Sequence, residues 1–153
     1  LVDQILREQA SAIRDKSQKI LTSFPKRILY ANGDPQYARM AIENIISNAI
    51  KYTPEKGTIT IKLKRSGDFA AITVSDTGVG IDKKDLDLLF QKFSRIPNEL
   101  SRQTAGSGVG LYIAQHIIDL HGGKIEVDSV LGKGTTFTIL LPLALRNQTK
   151  DKL

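Results

Sequence analysis

Thr58-Ile59-Thr60-Ile61-Lys62-Leu63-Lys64 alternates polar and apolar residues with period two, and Ala70 to Val74 does the same after the turn residues Ser66-Gly67-Asp68. Two such runs joined by a short glycine-bearing turn predict an antiparallel hairpin with one buried face. Upstream, Asn32-Gly33-Asp34-Pro35 offers Asp34 as a helix N-cap and Pro35 for the first helical position, and a long helix to about Tyr52 follows. Thr53-Pro54-Glu55-Lys56-Gly57 ends it, because Pro54 disfavours helical geometry at the residue before it. Farther back, Val2, Ile5, Leu6 and Ile13 recur at helical spacing and predict one amphipathic helix from Leu1 to about Lys16. Ile20-Leu21 and Arg27 to Tyr30 read as two short strands around the turn Phe24-Pro25-Lys26.

Downstream of the hairpin a short helix is expected from Lys83 to Phe90, then a long aperiodic loop from Gln91 to Gly108. Loops of that length in a small domain serve as lids or binding loops, or are disordered. From Gly110 to His121 the apolar Leu111, Ile113, Ala114, Ile117, Ile118 and Leu120 predict a largely buried helix, closed by Gly122-Gly123. A last hairpin joins Ile125–Val130 to Thr135–Leu141 through Leu131-Gly132-Lys133-Gly134, before Pro142 and a polar tail. The sum is an α+β two-layer sandwich, a mixed and mostly antiparallel sheet covered on one face by three helices.

Composition mainly excludes. At 153 residues the chain is one domain, large enough to hold a core without a disulfide or structural metal. The absence of Cys rules out disulfides, iron–sulfur clusters, thiolate zinc sites and cysteine nucleophiles, and two His, His116 and His121, leave little for metal or triad chemistry. The longest apolar runs are too short to span a bilayer, and no signal peptide is visible, so the expectation is a soluble chain. Leu1 in place of an initiator Met suggests a piece of a longer protein. The net charge of +6 comes from 22 Lys and Arg against 16 Asp and Glu, spread along the chain without interleaved aromatics. A solvated basic surface is therefore the better reading than nucleic-acid binding.

Three stretches carry chemistry. On the long helix Asn44, Asn48, Lys51 and Tyr52 share a face; an amide oxygen can ligate Mg2+ and Lys51 can reach phosphate oxygens. Read alone, the same residues are the polar side of an amphipathic helix. Asp76-Thr77-Gly78-Val79-Gly80 follows a predicted strand, where glycines admit a close ligand and the carboxylate can accept a hydrogen bond from an amine, or the segment is an ordinary Asp–Gly turn. Gly106-Ser107-Gly108-Val109-Gly110-Leu111 precedes a helix without forming a dinucleotide fingerprint or a P-loop. Its glycines expose N–H groups at a helix start that favours anions, or they form a hinge. Leu89, Phe90, Phe93 and Arg95 at the start of the loop read in isolation as core anchors.

Order changes the odds. Asn44 to Thr53, Asp76 to Ile81, Leu89-Phe90-Gln91-Lys92-Phe93, Gly106 to Leu111 and Gly132-Lys133-Gly134-Thr135-Thr136-Phe137 together resemble the N, G1, F, G2 and G3 boxes of the ATP-binding catalytic domain of sensor histidine kinases. The larger superfamily that this resemblance implies includes type II topoisomerase, heat-shock chaperone and mismatch-repair ATPases, which share the Bergerat ATP-binding fold. The resemblance implies that Asn48, supported by Asn44, ligates Mg2+, that Lys51 meets phosphate, and that these three carry the catalytic role. It implies further that Tyr52 packs near the base or sugar, that Asp76 accepts the adenine amino group, and that Gly78, Gly80 and Ile81 shape that pocket with support from Thr135. Residues of about 91–107 would be the ATP lid, with Arg95 or Arg102 at phosphate and Gly106, Ser107, Gly108, Val109, Gly110 and Leu111 as hinge and phosphate cradle.

Where the ATPase branches carry a water-activating carboxylate this chain has Asn44, and an amide cannot be that base. The resemblance therefore implies transfer of the γ-phosphoryl group from Mg-ATP to a histidine on a separate dimerisation domain, with a response regulator downstream. The domain is expected to be cytoplasmic and, in isolation, a monomer, within a homodimeric parent open to membrane attachment. Its expected layout is an incoming helix at 1–16, the ATP-binding domain at 17–145 and a polar tail at 146–153. His121, in Leu120-His121-Gly122-Gly123, is expected to be structural. The alternative is a non-catalytic nucleotide-sensing module of the same fold.

Overall fold

The computed structural model describes residues 1–97, 100 and 106–144. A five-stranded sheet runs in the order β1-β2-β3-β5-β4, with β1 (Lys19–Ser23), β2 (Thr58–Ser66), β3 (Phe69–Asp76), β4 (Lys124–Val130) and β5 (Gly134–Pro142). β1 pairs with β2 in parallel and every other neighbour is antiparallel. The parallel pair follows from the crossover that joins it, α3 (Pro35–Tyr52), because parallel neighbours cannot be joined by a tight turn. The helices α1 (Val2–Glu8), α2 (Ala10–Asp15), α3 and α4 (Gly110–Leu120) complete the α+β layering.

Period two sorts the strands. Ile59 and Ile61 of β2, Ile72 and Val74 of β3, Phe137 and Ile139 of β5 and Ile125 of β4 share the buried face, where they meet Ile42, Ile45, Ile46 and Ala49 of α3 and Ala114 and Ile118 of α4. The opposite face is polar: Ser75 and Thr136 share a hydrogen bond of 2.9 Å across β3 and β5. α3 starts as its sequence requires, with one Asp34 carboxylate oxygen accepting from Gln36 N at 2.8 Å and Tyr37 N at 3.1 Å and Pro35 filling the first turn.

Three expectations need correction. The single helix over residues 1–16 is two, broken at Gln9, whose backbone leaves helical geometry between α1 and α2. Arg27 to Tyr30 does not form a strand. That segment is irregular and meets the sheet edge only through a bridge between Ala31 and Leu143, because Ile28 and Tyr30 alternate onto solvent and bury no face. The short helix after the first hairpin is a 3-10 helix, Lys83–Leu88, whose start is capped by the Asp82 carboxylate on Lys84 N. No helix among the described residues is long and apolar enough to cross a membrane.

Candidate functional site

The polar face of α3 opens onto a cavity of about 250 Å3, reached by Asn44, Asn48, Lys51 and Tyr52. These side chains face it because Ile42, Ile45, Ile46, Ala49 and Ile50 take the other side of the helix into the core. Lys51 Nζ lies 5.2 Å from the centre of the Tyr52 ring, a cation–π contact. Glu43 points away from the cavity and lies 3.8 Å from Arg39. Asp76 is the one carboxylate among the described residues lining it.

Asp76 is the last residue of β3, and the β3–β5 ladder delivers Thr135 to it. Its Oδ1 accepts from Gly78 N at 2.8 Å and from Thr135 N at 3.2 Å. Burial pushes the carboxyl above its ordinary value, against the opposing pull of those two amides. The turn beyond it is shaped by glycine. Gly80 has φ +65°, and a Cβ there would stand 2.0 Å from the carbonyl oxygen of Val130. Gly134 has φ +119°, with only 1.9 Å between such a Cβ and the carbonyl oxygen of Asp76. The β4–β5 turn thus packs directly on the Asp76 turn, and Gly132 N closes the contact by donating to Val79 O at 2.7 Å.

Ser129, buried at the end of β4, ties these pieces together. Its hydroxyl donates to Gly134 O at 3.0 Å, lies 2.8 Å from Thr135 Oγ1, and accepts from Ile81 N at 2.9 Å. Nothing in an alternating strand marks one serine as a junction, so sequence reasoning missed it.

The third wall is Gly106-Ser107-Gly108 and the start of α4, where Gly110 and Leu111 line the cavity. A Cβ on Gly106 would stand 2.5 Å from Lys51 Nζ, and one on Gly110 3.0 Å from Asn44 Oδ1. This backbone therefore runs against the polar face of α3 at distances only glycine permits. Arg95 joins it from the loop, and the cations raise each other's cost: burial first and Arg95 second hold Lys51 below its ordinary value. Burial raises the Tyr52 phenol, with Arg95 opposing. An anion would relieve the repulsion between Lys51 and Arg95.

Of the residues singled out in the sequence, Asn44, Asn48, Lys51, Tyr52, Asp76, Gly80, Ile81, Arg95 and Thr135 line this one cavity, as do Gly106 to Gly108, Gly110 and Leu111. Gly78 and Val109 do not: Gly78 acts through its N–H on Asp76, and Val109 occupies the N-cap position of α4. Arg102 lies outside the described residues, as does the tail at 146–153. Ala49, Val79, Leu89, Ile96 and Phe137 complete the lining, apolar residues whose sequence pattern marks them only as core.

His121 lies apart from the cavity. Its Nε2 accepts from Asp34 N at 3.0 Å, which leaves Nδ1 to carry the proton and donate to Ile117 O at 2.7 Å. The ring ties the end of α4 to the start of α3. His116 is exposed and stacks on Tyr112.

The sequence profile of the family described as "Histidine kinase-, DNA gyrase B-, and HSP90-like ATPase" matches residues 33–145. Similar proteins include the circadian input-output histidine kinase CikA of Synechococcus elongatus, 40% identical over 76% of this chain and 15% of its own length. The sensor histidine kinase WalK of Bacillus subtilis is 39% identical over 84% of this chain and 21% of its own. The chain thus spans a minor part of these relatives. Among solved structures, the mycobacterial sensor histidine kinase MprB superposes with a TM-score of 0.76 at 26% identity, covering 93% of each chain. The nucleotide-free catalytic domain of histidine kinase ThkA gives 0.79 at 25% identity, over 92% of this chain and 90% of that one.

Proposed function

The chain belongs to the histidine kinase-, DNA gyrase B- and HSP90-like ATPase family, and from that premise we propose that it is the ATP-binding catalytic domain of a sensor histidine kinase, handing the γ-phosphoryl group of ATP to a histidine on a separate dimerisation domain. The observation that carries this reading is convergence: a half-buried carboxylate, two amides and a lysine on one helix face, and a glycine turn at a helix start share one cavity.

In this reading the ends of the cavity divide the nucleotide. Asp76, its Oδ1 occupied by Gly78 N and Thr135 N, presents Oδ2 to the exocyclic amine of adenine, and that bond orients the base. Tyr52 and Ile81 flank it. Lys51, Arg95 and the N–H groups at the start of α4 take the phosphates, where a glycine backbone and a helix N-terminus favour negative charge.

Mg2+ fits through its phosphate partners. Among the described residues no group of three His, Asp or Glu side chains could hold a metal alone, while Asn48 and Asn44 offer amide oxygens one helical turn apart, as an ion also bound by phosphate oxygens requires. When bound, the ion would neutralise charge developing on the phosphates. The chain itself would contribute positioning and electrostatics. With Glu43 turned toward Arg39, the α3 face brings no carboxylate to activate water, which favours transfer over hydrolysis.

The proposed layout places the ATP-binding unit at 17–145, after the α1–α2 arm, with a response regulator acting downstream. Radiolabelled ATP supplied with the parent's histidine-bearing dimerisation domain tests the reading. Label is expected on that domain with the wild-type chain and not with Asn48→Ala. ATP bound by the wild type without any label transferred would instead identify a nucleotide-sensing module.

A further inference from the structure

The last four carbonyls of a helix lack partners within it, so each must be satisfied from elsewhere. In α3 most of them are satisfied from far back in the chain. Lys16 Nζ donates to Ile50 O at 3.1 Å, Lys51 O at 2.7 Å and Thr53 O at 3.1 Å, using all three of its protons. Gln18 Nε2 donates to Ile50 O at 2.9 Å and Thr53 O at 2.7 Å. Tyr52 O takes the remaining partner, Val79 N, at 3.2 Å.

The turn that presents Lys16 and Gln18 is itself closed. Gln18 N bonds Ile13 O at 3.0 Å and Ser17 N bonds Arg14 O at 2.8 Å, the paired bonds of a Schellman cap, with Ser17 in the left-handed region at φ 49°. Lys56 N bonds Lys16 O, and Lys19 N bonds Gly57 O, each at 2.9 Å. Gln18 is 7% exposed, and its Oε1 is buried without a hydrogen-bond partner among the described residues. Rotating the amide would set that oxygen against two carbonyls, so the orphan oxygen is what remains when both N–H bonds are required. At the other end of the arm, Glu8 pairs with Arg39 of α3, while Val2 and Ile5 enter the core.

The turn held this way belongs to the cavity. Lys51 and Tyr52 are its last helical residues and line the cavity, Asn48 lies one turn back, and Val79, bonded to Tyr52 O, lines the opposite wall. We infer that Lys16 and Gln18 are positioning residues for the nucleotide site: the arm braces α3 and, through its final carbonyls, sets where Lys51, Tyr52 and Val79 stand. This rests on the ATP-binding reading above. The Lys16 charge also complements the negative end of the α3 dipole, so a neutral side chain loses more than its contacts.

ATP affinity, measured calorimetrically on the full chain well below each variant's melting transition, tests the brace. Lys16→Met and Gln18→Met are each expected to bind ATP about tenfold more weakly, since small misplacements of distant origin reach that size. Lys16→Arg, which keeps charge and donors, should bind nearly as the wild type does. Ile125→Val, buried on β4 away from both the arm and the cavity, should melt earlier with affinity unchanged, separating bracing from general stability. Amide exchange at Thr53 and Val79 gives a second readout and should quicken in Gln18→Met, even if Lys16→Met fails to fold. Wild-type ATP affinity in the Met variants, or unchanged exchange in Gln18→Met, overturns the inference. Asp76→Asn separates the two readings: if it abolishes binding while the Met variants bind normally, only the brace fails, and if it too binds normally, the site assignment fails.

Discussion

Replacing Asp76 by Asn changes one atom of the site's carboxylate and should move binding and stability in opposite directions. The Asn Oδ1 can still accept from Gly78 N and Thr135 N, now at 2.8 and 3.2 Å, so the turn keeps its shape. In the proposed binding mode the second oxygen becomes an NH2 that would face the adenine amine donor to donor. Losing a charge-assisted hydrogen bond costs about 1.5–3 kcal/mol, and a buried unpaired donor adds about 1–3 kcal/mol. ATP binding should therefore weaken by about 2.5–6 kcal/mol, roughly seventyfold to twenty-thousandfold. The folded chain without nucleotide should melt no lower than the wild type and can melt higher, because burial already raises the Asp76 carboxyl and the neutral side chain escapes that penalty. Isothermal titration with ATP and thermal melts of the nucleotide-free protein measure the two effects. Wild-type affinity together with a lower melting temperature would show Asp76 to be a structural residue and refute the base-recognition argument.

The other predictions concern acid and backbone. ATP affinity should fall on acidification through a pH above the ordinary carboxyl value of 3.8, because the Asp76 carboxyl is raised and, with Oδ1 held by two amides, the proton would sit on Oδ2, the oxygen proposed to accept the amine; Asp76→Asn should lack that step in a titration series. The stability term has the opposite sense. Between 3.8 and the raised value the folded state binds the extra proton, so the contribution of Asp76 declines as pH rises through that window, and urea melts of the wild type against Asp76→Asn read the difference. Gly134→Ala should lose about 2–4 kcal/mol in urea unfolding and weaken ATP binding too, since its Cβ would meet Asp76 O at 1.9 Å with φ at +119°. Ser17→Gly should gain about 0.5–1 kcal/mol by relieving the left-handed φ of 49° at the Schellman position, provided the bonds from Lys16 and Gln18 persist.

The elements legible in advance are those whose periodicity agrees with their burial. The alternation of Thr58 to Lys64 and the Asp34-Pro35 start of α3 each specify local geometry with few competitors, and both form as read. Arg27 to Tyr30 shows the limit: a short apolar run becomes a strand only when a neighbour pairs with it, and here the pairing reaches only Ala31. The break at Gln9 was equally hidden, because apolar spacing continues across it and nothing local interrupts a helix there.

The sequence by itself determined which residue types could do chemistry and the order in which they come: two amides and a lysine on one helix face, an Asp at a strand end and glycine turns beyond it. Composition and spacing are properties of the chain, and they survive unfolding. Tertiary structure alone decided what meets what. The antiparallel β3–β5 ladder brings Thr135 N to Asp76, the β4 end sets Ser129 beneath both, and a turn some thirty residues upstream supplies Lys16 and Gln18 to the orphan carbonyls of α3. Those pairings answer a demand that no local pattern records: once the core is closed, every buried N–H and C=O must find a partner wherever the fold puts one.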